Sequence, residues 1–185
     1  MSSTAVMDEG GSSAGGERFS HVVRFRVRYS ETDQMGTVYN SRPLEWFECG
    51  RSELLRHLDL PYTTMEARGV FLPLIEAHVE YQGRARYDDL LEMTTALTFM
   101  GRARLRCDVG IVHAQDGKGV ARGYTVHAFT NQVGRVIRPP AWVSDALARA
   151  SRVQAGGPGT LITSPPARVG SGLEPNKETS SNESI

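Results

Sequence analysis

From residue 21 to residue 29 the chain alternates, with Val23, Phe25, Val27 and Tyr29 on one parity and Arg24, Arg26 and Arg28 on the other. A period of two with one wet side predicts a β-strand. The period then lengthens. Leu44, Phe47, Leu54, Leu55 and Leu58 recur near helical spacing, and Pro43 sits where a first helical turn tolerates it, so one long helix is predicted over 44–58. Gly50 and Ser52 keep that helix slim enough for another element to come close. Beyond it, residues 70–82, 90–100, 103–114 and 120–131 read as strands, with hairpin turns at Gly101 and at Asp116-Gly117. A short piece over 135–137 follows the turn at Gly134, and Pro139-Pro140 introduces a last amphipathic helix over 141–150.

Strand, helix, then a run of strands is the order of an α+β domain, because the alternating strand–helix units of a parallel sheet are absent. An antiparallel sheet wrapped around one long central helix is the expected architecture. Residues 1–18 are mostly Ser, Gly and Ala, and residues 153–185 are rich in Gly, Pro, Ser, Asn and Glu. Such stretches bury too little to offset ordering entropy. They are read as disordered tails around one domain spanning 19–152.

Composition narrows the function classes. Among 185 residues, 21 Lys+Arg balance 21 Asp+Glu, so no global field draws the chain to nucleic acid or to an anionic membrane. An anionic ligand has to be held by a local patch. No apolar run approaches the length of a membrane-spanning helix, which argues against membrane insertion. The two cysteines, Cys49 and Cys107, form neither a disulfide framework nor a metal-ligand spacing, so a cytoplasmic protein is expected. His21, His57, His113 and His127 fall into no zinc or Ser/His/Asp arrangement, and no metal is implied. His78, between Glu76 and Glu80, reads as part of a solvated or subunit-facing strand.

The chemistry concentrates in Thr32-Asp33-Gln34-Met35-Gly36-Thr37-Val38-Tyr39-Asn40, which joins the first strand to the helix. A carboxylate there lies beside the positive end of the helix dipole and its unpaired N–H groups, a place that suits an anion. Such a carboxylate can attack a thioester carbonyl or activate a water that does so. The plain alternative is a turn-capping Asp. Glu31 reads as a solvated loop residue and Glu48 as a helix flank.

That nonapeptide, followed by Leu44-Glu45-Trp46-Phe47-Glu48, resembles the 4-hydroxybenzoyl-CoA thioesterase family and, within it, the Tol-Pal-associated acyl-CoA thioesterases. The stretch 81–90 is similar to that family's turn into its next long strand. The resemblance covers about 19–140. It implies the hotdog fold, an acyl-CoA thioesterase activity, Asp33 as nucleophile or general base, and the backbone N–H of Asn40 as oxyanion donor. Relatives often carry His or Tyr where this chain has Asn40. The resemblance also implies substrate contacts at Gly36, Val38 and Tyr39, coenzyme A as part of the substrate with no separate cofactor, and a homodimer or homotetramer. Arg102, Arg104 and Arg106 fall on one face of a predicted strand. With Arg84 and Arg86 beside a turn, they are candidates for the coenzyme A phosphates. Two other functions fit the same fold: an acyl-CoA-binding module without turnover, and an acyl-thioester dehydratase, which wants a His near the start of the central helix.

Overall fold

The computed structural model describes residues 19–154. The segments read as tails lie outside them, except that the last helix runs past Arg152 to Gln154. In chain order the elements are β1 (Phe19–Arg26), α1 (Arg42–His57), α2 (Tyr62–Ala67), β2 (Leu74–Tyr81), β3 (Leu90–Met100), β4 (Arg104–His113), β5 (Gly119–Ala128) and α3 (Ala141–Gln154). The strands form one sheet in the order β1-β3-β4-β5-β2, and every neighbouring pair is antiparallel. The hairpin turns fall where glycine adopts positive φ, at Gly101 (63°) and Gly117 (70°). This is the hotdog fold, of class α+β.

Strand register explains how α1 is held. Leu91, Met93, Thr95 and Leu97 of β3 point to one face, together with Leu105, Cys107, Val109 and Ile111 of β4, and all are buried. Against that face α1 lays Trp46, Phe47, Gly50, Arg51, Leu54 and Leu55. The helix comes closest at Gly50, where an added Cβ would stand 2.3 Å from Thr95 Oγ1 and 3.0 Å from Met93 Cε. The N-terminal half of α1 packs with Val27, Leu91, Val109 and Ile111, under the end of the sheet that carries the Asp33 loop. Its C-terminal half packs with α3 and Phe129 at the other end. Burying leucines such as Leu54 and Leu55 stabilises by roughly 1.5–3 kcal/mol each. Leu44 is the exception to the predicted helix face, since it is exposed.

Four local readings are corrected. The first strand stops at Arg26, and Tyr29 lies in a short 3-10 turn (Tyr29–Glu31) that swings it into solvent. The second strand begins only at Leu74, after Pro73. Helix α2, which the sequence reading missed, starts after Pro61 and fills the connection. Arg102 lies in the turn between β3 and β4 rather than on the strand.

The two borders of the sheet differ. At β1 the outward residues include Arg24 and Arg26, charges that discourage further strand pairing. At β2, Leu74 (54%), Ile75 (51%) and Tyr81 (58%) are exposed, and of the eight residues of β2 only Val79 is even half-buried. That strand pairs with β5 on one side and, among the described residues, has no strand neighbour on the other.

Candidate active site

The loop between β1 and α1 is a small hairpin-like turn built by its own backbone. The Asp33 N–H donates to Thr37 O (2.9 Å), the Gly36 N–H to Asp33 O (2.9 Å) and the Tyr39 N–H to Glu31 O (2.9 Å). Gly36 takes φ +69°, a conformation that costs a side chain dearly, and nothing stands within 4 Å of where its Cβ would be. The Val38 N–H donates to Ala85 O (2.8 Å), which ties the loop to the segment before β3. Arg84 and Arg86 flank the buried Ala85 and both face solvent, so the structure brings them beside Val38 and Tyr39.

Asp33 is half-buried at the tip of this loop. Its Oδ1 accepts from the Met35 N–H (2.8 Å) and the Thr37 N–H (3.4 Å). The turn-capping role is therefore real, and it fixes the carboxylate's direction. Asn40 precedes α1, whose cap residue Ser41 makes no side-chain cap bond. The Asn40 carbonyl accepts a short hydrogen bond from the Tyr81 hydroxyl. Its N–H donates no hydrogen bond among the described residues. An uncapped helix start with a free N–H is an available oxyanion donor.

Glu31 overturns its reading as a solvated residue. It is 2% exposed, and its carboxylate accepts from the Arg28 N–H (2.7 Å), the Arg28 guanidinium (2.8 and 3.0 Å) and the Trp46 indole N–H (3.0 Å). Burial alone would raise its proton affinity. The Trp46 and Arg28 hydrogen bonds outweigh burial and hold the carboxyl below the ordinary carboxylate range. Glu31 thus anchors the base of the Asp33 loop to α1. The one available signal was Trp46, because a core indole needs an acceptor.

The other candidates separate clearly. Arg104 pairs with Met100 and Ala128 at the end of the sheet away from the Asp33 loop, and Arg102 lies in the adjoining turn. Ten residues of β3 put them roughly 30 Å along the sheet from the loop within one chain. Arg106 is taken up by Asp108 (2.8 Å) and by the Tyr124 ring (3.6 Å) on the sheet's outer face. A hollow of about 340 Å³ near the loop is lined by Arg84, by His113, which the sequence reading weighed only for metal or triad chemistry, and by Lys118, which was not a site candidate. Both cysteine thiols are shifted away from the thiolate form. Burial pushes the Cys107 thiol up to about 12, and burial and then Glu48 raise that of Cys49. His127 is a core residue, bonded to Leu72 O (3.0 Å) and Thr125 Oγ1 (3.1 Å), and burial followed by the Arg51 charge lowers it to about 4. Among the described residues no group of three or more His, Cys, Asp or Glu is placed to hold a metal ion, and no helix is long and apolar enough to cross a membrane.

A hotdog sheet on one helix, with a carboxylate loop at the helix start, defines the class. Residues 27–148 match the model of the thioesterase-like superfamily, and the chain belongs to that family. The resemblance carried by 32–48 holds at that level. YneP of Bacillus subtilis (strain 168) is 41% identical over 63 residues, 34% of this chain and 46% of that one, so the match spans less than half of that relative. The acyl-CoA thioester hydrolase YbgC of Escherichia coli O6:H1 is 35% identical over 91 residues, 49% of this chain and 68% of that one. Among solved structures, the hypothetical protein TT1821 of Thermus thermophilus superposes with a TM-score of 0.64 at 35% identity, over 70% of this chain and 96% of that one.

Proposed function

We propose that this thioester hydrolase cleaves acyl-CoA to a free acid and coenzyme A at the Asp33 loop. The observation that carries the reading is the pairing of a carboxylate fixed by its own loop with the unoccupied Asn40 N–H at the mouth of α1. The name of the E. coli relative supports the substrate class. Asp33 Oδ1 is held by loop amides, which leaves Oδ2 to attack the carbonyl carbon or to take a proton from the attacking water. The Asn40 N–H receives the charge that develops on the carbonyl oxygen. Collapse of the intermediate expels the thiolate of coenzyme A, a leaving group that needs no strong acid. Gly36, Val38 and Tyr39 form the wall against which the acyl group lies. Arg84, with Lys118 across the 340 Å³ hollow, takes the phosphates. Arg102 and Arg104 of the same chain are too far along the sheet to share that role.

Two copies pair through β2, whose apolar exposure and free backbone edge suit a second strand. The cytoplasm is the expected compartment.

The non-catalytic reading draws on the Oδ1 hydrogen bonds, which give Asp33 a structural job. The dehydratase reading loses its histidine, because the only His of α1, His57, lies in the last turn stacked on His21. Purified protein is mixed with a panel of acyl-CoA thioesters and a thiol-reactive dye. Turnover is expected, with a loss of about 10²-fold or more in Asp33→Asn. Binding without thiol release by the wild-type chain, or full turnover in Asp33→Asn, would sink this assignment.

A further inference from the structure

On the flank of α1 away from β2 lies a second cavity, of about 330 Å³, between β1 and the helix. Its floor is apolar, formed by Val23, Phe25, Trp46 and Met93. Arg24 and Arg26 stand on its rim. Both are paired at exposed sites: Arg24 donates through two nitrogens to Glu92 (2.8 and 2.7 Å), and Arg26 donates to the Asp88 carbonyl (2.7 Å) and reaches the Asp88 carboxylate at 3.6 Å with its side chain 59% exposed. The two carboxylates that line the cavity are already neutralised, Glu31 by Arg28 and the Trp46 indole, and Glu53 by Arg56. The space therefore combines an oily floor with two rim arginines held in solvent-exposed pairs, which are weak enough to be exchanged for a ligand's carboxylate. Its volume is that of a small-ligand site.

We propose that this groove binds an amphipathic carboxylate, the class of molecule that the proposed hydrolysis releases, and that its occupancy is felt at the Asp33 loop. The identity of the occupant rests on the hydrolase reading, but the groove does not. The apolar tail lies on Phe25 and Trp46, and the carboxylate meets the arginines at the rim. The link to the catalytic loop is mechanical. Trp46, a floor residue, donates its indole N–H to Glu31, and the Glu31 carbonyl holds the Tyr39 N–H, one residue before Asn40. A ligand that displaces the indole therefore shifts the loop that aims the oxyanion donor. Product retained here slows turnover without competing for the substrate site.

Trp46 supplies the readout. Trp142 lies with the other core cluster, so Trp142→Phe leaves Trp46 as the only indole. Decanoate added to that protein should change its fluorescence saturably, and the change should persist when Asp33→Asn is added. Cys49→Phe, at an exposed position of the cavity wall, and Arg26→Glu should each weaken the response about tenfold or more. In turnover assays decanoate should lower kcat and leave KM unchanged. A silent Trp46, a response that survives both Cys49→Phe and Arg26→Glu, or purely competitive inhibition would overturn the proposal. If the groove binds decanoate but no acyl-CoA is hydrolysed, the hydrolase reading fails alone and the site stands.

Discussion

Replacing Glu31 with Gln tests whether the base of the catalytic loop is held by a buried anion. The shape survives the change and the charge does not. Oε1 of Glu31 accepts from the Arg28 guanidinium and from Trp46, and an amide oxygen keeps those contacts in weaker form. Oε2 accepts from the Arg28 N–H at 2.7 Å, and there the new NH₂ would face another donor. A hydrogen bond to a charged group contributes about 1.5–3 kcal/mol, and breaking a fully buried ion pair costs about 3–5 kcal/mol. Arg28 is 71% exposed and can be rehydrated, so the lower end applies and a loss of about 2–3 kcal/mol is expected. For a domain of this size that lowers Tm by roughly 10 °C.

The acid limb of the stability curve gives an independent check. The folded Glu31 carboxyl lies below its ordinary value, so its stabilisation is complete above the unfolded value of about 4.3 and drains away as pH falls through the folded one. Glu31→Gln should flatten that part of the curve and leave the rest. Urea unfolding followed by circular dichroism from pH 7 to pH 3 measures both effects. Melting within about 1 °C of the wild type, with an unchanged acid limb, would show that Glu31 anchors nothing.

Three further outcomes are expected. His127, lowered to about 4 against an unfolded value near 6.5, makes stability fall by about 3 kcal/mol between those two pH values; His127→Gln should remove that slope in the same titration. Gly50→Ala gains about 1 kcal/mol of helix propensity but drives a methyl against Thr95 and Met93, an overpacking cost of about 1–3 kcal/mol; net destabilisation is expected in denaturant melts, largely relieved by adding Thr95→Ala. Ile75→Asp on the bare border should convert a dimer to monomer in sedimentation equilibrium, and an unchanged dimer would place the interface elsewhere.

Most of the sheet was legible because alternation and hairpin glycines act locally. The positive φ at Gly101 and Gly117 falls in the predicted turns, and β3 matches its predicted span. The candidate site was legible only in part. Asp33, Gly36 and Asn40 were marked by the string they sit in. Glu31 was misread because its burial depends on Trp46, fifteen residues further on (46 − 31), and no local period carries that pairing. Of the arginines, Arg84 and Arg86 lie beside the loop while Arg102 and Arg104 fall at the far end of the sheet, a separation with a related cause. Parity tells which face a residue takes, but which end of an antiparallel strand lies near a loop depends on the path of the whole chain. Helix α2 escaped because six residues are too few to show a period.

The unequal borders of the sheet bear on how far assembly can run. A strand edge that accepts another strand is in general a seed for polymerisation, since each addition presents a fresh edge. Here the addition of one copy along β2 would consume both receptive edges at once, and the enlarged sheet would end on two copies of β1, studded with Arg24 and Arg26. Growth would stop there. Such a chain carries its own termination signal, and neutralising the two arginines, rather than altering the apolar strand, is the change that would turn a closed particle into a fibre.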